Sequence, residues 1–133
     1  MTKSARSMLF YAPRAYRWVH SGARARLQYQ LGIPHERDFR ALKVLFPGGD
    51  PLVIDVGANI GQSVYSIKAM LPAARIVSFE PHPETARQLK SLEARFSDVR
   101  VEAVGLGAEP GSRDIFTPVY RTKRMPALAS FDI

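Results

Sequence analysis

The chain has 133 residues, 46% of them hydrophobic and 23% charged, with no cysteine and a formal net charge of +7. That balance fits one globular domain and excludes a disordered composition, while the lack of cysteine excludes a disulfide framework or a thiolate metal site. No apolar run approaches the ~20 residues needed to cross a bilayer, and His20, His35 and His82 are too scattered for a zinc spacing.

Residues 1–35 form a basic, aromatic-rich segment in which Phe10, Tyr11, Tyr16, Trp18 and Tyr29 stand among arginines. Nine Lys/Arg lie in residues 1–49 against only Glu36 and Asp38, so the whole net charge sits there and the remainder is neutral. Arginine stems and aromatic rings suit several uses. The leading expectation is an accessory helix packed on the domain; the alternatives are a peripheral membrane contact, an organellar presequence and, least favoured, a nucleic-acid tail. The expected location is the cytoplasm, with or without membrane contact.

Residues 36–133 read as the folded domain. Phe39, Leu42, Leu45 and Phe46 recur at helical spacing until Pro47-Gly48-Gly49-Asp50 stops them. Leu52–Val56 reads as a strand, apolar without alternation as if covered on both faces of a parallel sheet. Gln62–Leu71 predicts a helix with Val64, Ile67 and Leu71 on one face, and Arg75–Glu80 a second strand. Pro83 opens a helix to about Phe96, with Ala86, Leu89, Leu92 and Phe96 inward. Asp98–Val104 predicts a third strand, Gly105–Gly111 a turn, Asp114–Tyr120 a short strand and Leu128–Ile133 the start of another element. This order predicts an α/β, doubly wound fold.

The run Pro51–Ser63 carries the strongest chemical signal. Gly57 and Gly61 allow a tight turn at the strand end, Asn59 tolerates a left-handed backbone, and the helix N-terminus follows. Asp55 is a carboxylate inside an apolar run, costly unless compensated. Glu80, at the end of the next strand, is placed to accept hydrogen bonds from both ribose hydroxyls. Two nucleotide cofactors compete. For NAD the third glycine falls one residue early, and Asp55 would repel a pyrophosphate. S-adenosyl-L-methionine carries an ammonium and a sulfonium and no phosphate, and suits these residues better.

Val53-Ile-Asp-Val-Gly-Ala-Asn-Ile-Gly61, followed by Val77-Ser-Phe-Glu-Pro81 and Pro83, resembles the FkbM family of S-adenosyl-L-methionine-dependent methyltransferases. The later segment Val104–Gly111 is similar to that family's turn after the third strand. The resemblance covers about residues 36–131 and implies a class I methyltransferase (Rossmann-like) fold with transfer of a methyl group to a hydroxyl of a sugar, polyketide or other small metabolite. It places Asp55 near the methionine end of the cofactor and makes Gly57, Ala58, Asn59 and Gly61 its cradle. Glu80 would hold the ribose, and Pro81 with His82 would lie against the adenine. Ala108 stands where many members carry an acidic or amide contact to the adenine edge. The resemblance further implies a fourth strand beside the first and an acceptor pocket beyond it, neither of which precedes Ile133. The expectation is therefore a cofactor-binding, N-terminal portion with no assigned catalytic residue. It is either part of an active enzyme, a silent binder, or a unit whose sheet a partner chain completes; an NAD-dependent oxidoreductase is the lesser alternative.

Overall fold

The computed structural model describes residues 22–131. Three strands, β1 (Leu52–Val56), β2 (Arg75–Phe79) and β3 (Val99–Glu102), form a parallel sheet in that order, with β2 central and β1 at an edge. β1 has the predicted bounds; β2 ends one residue early, and β3 is shorter than the apolar pattern suggested.

The register assigns two faces. Val53 and Asp55 share one with Ile76 and Ser78 of β2 and Val99 and Val101 of β3. Helices α3 (Gln62–Met70) and α4 (Pro83–Lys90) cover that face, and Val64, Ile67, Met70, Leu89 and Leu92 join Ile76, Val99 and Val101 in one core. On the opposite face Leu52, Ile54 and Val56 are 55%, 54% and 62% exposed. The expectation of a strand buried on both faces is thus corrected, whereas the α/β class with a parallel sheet is as expected; among the described residues both crossover helices lie on one face of that sheet. The reason is topological. Successive parallel strands laid down in one direction by right-handed crossovers put both connecting helices on the same side, and only a reversal of strand order sends a helix to the other.

Ahead of the sheet, α1 (Gly22–Gln30) lies on α3 through buried Ala25 and through Tyr29, whose ring centroid is 5.7 Å from Tyr65 and 5.4 Å from Phe96. Arg95 sets its guanidinium 5.5 Å from the Tyr29 ring. The described part of the basic segment is therefore packed on the domain, as the accessory-helix expectation requires. Phe10, Tyr11, Tyr16 and Trp18, and with them the membrane, presequence and nucleic-acid alternatives, lie outside the described residues. None of the described helices is long and apolar enough to cross a membrane.

The helix predicted over 36–46 is broken into a 3-10 turn, Arg37–Ala41, and the single turn α2 (Leu42–Leu45). Phe39 and Leu42 reach the core, whereas Val44 and Leu45 are exposed, so only half of the apolar stripe finds a partner. A run this short cannot stay helical on propensity alone. α4 also stops early. Beyond Lys90 the chain tightens into i→i−3 bonds, with the amides of Ser91, Leu92 and Glu93 donating to Gln88, Leu89 and Lys90 carbonyls. Three-residue winding eclipses positions i and i+3, which brings Leu89 and Leu92 to the same spot on α3's first turn.

After β3 the chain returns across the carboxyl ends of the strands. Phe116 and Ser130 form an antiparallel bridge, β4 (Val119–Tyr120) pairs with β5 (Lys123–Arg124), and a 3-10 turn spans Pro126–Leu128. The short strand expected at 114–120 and the element expected from Leu128 are two sides of this one return.

Candidate functional site

The turn after β1 has the predicted backbone. Gly57, Asn59 and Gly61 adopt φ of 74°, 52° and 93°, all left-handed. The space around a Cβ at Gly57 is open, with no other heavy atom within 4 Å, so a ligand can approach the main chain there. Gly61 has the opposite surroundings: a Cβ would lie 2.4 Å from Leu92 Cδ1 and 3.1 Å from Leu89 Cδ1. Gly61 is a packing glycine that lets the end of α4 close onto α3.

Nor are the turn amides a bare cradle. Gly57 and Ala58 both donate to the Phe79 carbonyl (2.9 and 3.1 Å), Gly61 donates to Ala58 (2.9 Å), and Asn59 donates to Glu80 Oε2 (2.8 Å). These bonds stitch the turn to the end of β2. An anion would have to compete with them, a physical argument against pyrophosphate binding here.

Glu80 is buried at the carboxyl end of β2. Its Oε1 accepts from the His82 amide and from Thr85 Oγ1, both at 2.9 Å, so the carboxylate is fixed in orientation. Among the described residues Oε2 accepts only from the Asn59 amide, and a carboxylate oxygen has a second lone-pair site. Around it opens a cleft of about 190 Å³ lined by Gly57, Asn59, Glu80, Pro81, Ile115, Pro126, Ala129, Ser130 and Phe131. Pockets that enclose whole drug-sized ligands run to about 300 Å³ and above, so this one holds part of such a ligand.

Of the eight predicted cofactor-binding residues, Gly57, Asn59, Glu80 and Pro81 line the cleft, and Asp55, Ala58, Gly61 and His82 do not. Ala58 is a core residue. The His82 ring is buried and occupied: Nδ1 accepts from the Glu84 amide (3.2 Å) as the N-cap of α4, and Nε2 bonds Thr117 Oγ1 (2.9 Å). With Nδ1 accepting, the hydrogen sits on Nε2, so the ring ties the return segment to α4.

Asp55 lies on the helix-covered face, where Oδ2 accepts from Ser63 Oγ (2.6 Å) and Ser78 Oγ (3.2 Å). Burial raises its pKa above the ordinary 3.8; the two hydroxyls and the His35 charge pull it back, and the Glu80 charge pushes it further up. The two carboxylates therefore sense one another as the strand order implied, although only Glu80 reaches this cleft. His35 completes the neighbourhood. Its amide and Nδ1 both meet Ser66 Oγ (2.9 and 2.8 Å), one turn along α3 from Ser63. Burial lowers its pKa below 6.5, opposed by the charges of Glu36 and Asp55 and aided by Arg24.

Sequence reasoning missed Ser63, Ser78, Thr85 and Thr117. Ser78 had left a signal, a hydroxyl in the middle of an apolar strand; Thr85 had one too, five residues after Glu80 in a helix's first turn. Ser63 and Thr117 had none that distinguishes them from solvated residues.

No family model matches the chain. It is similar to the AMB antimetabolite synthetase AmbE of Pseudomonas aeruginosa, 37% identical over 76 residues, which is 55% of this chain. The matched stretch spans about 4% of that much longer protein.

Proposed function

We propose that this chain is the cofactor-binding portion of an S-adenosyl-L-methionine-dependent methyltransferase acting on a hydroxyl of a sugar, polyketide or other small metabolite. The observation that carries the reading is Glu80, an immobilised carboxylate with acceptor capacity left beside a left-handed glycine turn. The fit is partial and specific. The cleft suits the ribose of the cofactor at Glu80, the open space over Gly57 admits it, and the engaged turn amides disfavour a dinucleotide. When bound, the cofactor supplies an electrophilic methyl group on a sulfonium. The chain's own contribution is to accept the ribose hydroxyls at Glu80, to keep that carboxylate aimed through Thr85 and the His82 amide, and to exclude water with Pro81 and Ile115. The name of the relative, an antimetabolite synthetase, agrees with an acceptor from small-molecule biosynthesis.

A second reading, a binder without catalysis, is favoured by one observation: among the described residues Glu80 is the only titratable one lining the cleft, and it is held in orientation by its own hydrogen bonds, so none of them offers a base for a hydroxyl acceptor there.

Calorimetry with S-adenosyl-L-methionine and NAD separates the possibilities. Saturable binding of the former is expected, weakened about ten- to a hundredfold by Glu80→Ala through loss of charge-assisted hydrogen bonds. Saturable NAD binding with none for S-adenosyl-L-methionine would overturn the reading. A radiolabelled methyl-transfer assay against a metabolite extract then separates the enzyme from the silent binder.

A further inference from the structure

The cleft is small because an aromatic ring of the chain itself closes one side. A Cβ at Gly105 would lie 3.2 Å from Phe131 Cζ and 3.4 Å from Pro81 Cβ, so the ring lies directly on the main chain of Gly105, next to Pro81. A side chain at residue 105 would crowd the ring and make it shift by a few tenths of an ångström. The ring is aimed from its own backbone: Phe116 and Ser130 exchange both amide bonds, at 2.8 and 3.1 Å, which fixes the residue before Phe131. The same return segment is tied down by Thr117 on His82 and by Arg124 on Glu84 at 3.3 Å.

A ribose held by Glu80 must put its base within the same cleft. Pro81 and Phe131 both line that cleft, and the phenyl ring packs beside Pro81 over the neighbouring main chain of Gly105. The ring remains 41% exposed, so its packing is worth a fraction of a fully buried phenylalanine and can be exchanged for a ligand's ring.

We propose that Phe131 occupies the base position of the cleft, and that a nucleoside-bearing ligand must displace it to bind. This inference rests on the proposed reading of Glu80 as a ribose ligand. It makes Phe131 a determinant of affinity: the ring keeps the apolar slot covered and sets a threshold that a flat, stackable base can meet and an isolated ribose cannot.

The test is calorimetry of adenosine and of S-adenosyl-L-methionine with the full chain and its Phe131→Ala, Phe131→Leu and Phe131→Trp variants, each first checked by thermal melting. Phe131→Leu keeps an apolar anchor without the ring, so the comparison survives if the alanine variant melts early. The alanine and leucine variants are expected to bind both ligands about three- to tenfold more tightly than the parent, and Phe131→Trp more weakly, in proportion to the apolar packing each exchanges. If the parent binds and the leucine and alanine variants bind equally or less tightly, Phe131 is a wall or a stacking platform; the displacement inference falls and the cofactor reading stands. If neither parent nor variants bind either ligand, both fall together.

Discussion

Asp55 is an ionisable group whose charge the fold disfavours. Ser63 and Ser78 satisfy one of its oxygens, yet burial still raises its pKa, so the native state holds the proton more tightly than the unfolded chain does. Stability must then fall as pH rises from 3.8 through the raised native value, and remain lower above it. Asp55→Asn removes that dependence. It is expected to melt at a higher temperature than the parent at pH 7, with the difference vanishing near pH 3.5; equal melting at both would show that Asp55 is solvated. His35 has the opposite sign. Its lowered pKa means that stability rises with pH up to about 6.5, so the two groups oppose one another across the acidic range. The chemical types of Asp55, Gly57, Asn59 and Glu80 were legible in the linear sequence because each breaks a local rule: a charge in an apolar strand, or a residue suited to a left-handed turn. Their partners were not, because a serine or threonine obeys local rules almost anywhere.

At the scale of elements, one side chain ties two of them together. Lys68, in the last turn of α3 and 3% exposed, donates to the carbonyls of Pro72 (3.1 Å) and Ala74 (2.7 Å) and pairs with Asp98 at the entrance to β3. It thereby satisfies the turn between α3 and β2 while fixing the start of β3. Lys68→Met would leave those carbonyls without their donor and Asp98 without its cation. The expected loss is about 2–4 kcal/mol, below that of a wholly buried pair because the Asp98 side chain is 34% exposed. Urea denaturation checks it through a lower midpoint at an unchanged m-value; a shift worth under 0.5 kcal/mol, the ordinary scatter of surface changes, would show the pair to be dispensable. Lys68 sits among Val64, Ile67 and Leu71 in a helix whose apolar stripe alone predicted its position. Nothing in that stripe indicates that the charge turns inward. The bounds of β1 and α3 were legible from proline, glycine and periodicity, whereas the early stop of α4 was not. Leu92 continues the helical spacing, and only its contact with Gly61 calls for tighter winding.

At the scale of the whole molecule, the described residues form a one-sided layer. Leu52, Ile54 and Val56 present an apolar row on the uncovered face of an edge strand, which is an arrangement prone to association. The purified 133-residue chain is expected to self-associate with rising concentration. Ile54→Lys should reduce that, read as a smaller weight-average sedimentation coefficient, while changing folding stability by less than about 0.5 kcal/mol because Ile54 is already 54% exposed. Unaltered association would place the sticky surface elsewhere. By itself the sequence determined the strand–turn–helix at Pro51–Ser63, the parallel order of the strands and the acid at the end of β2, because these follow from local sterics and hydrophobic period. Only the tertiary structure decided that both crossover helices share one face, that Gly61 serves packing and His82 serves capping, and that Phe131 returns to the cleft beside Glu80. Those outcomes depend on contacts between residues far apart in the chain, which no local pattern encodes.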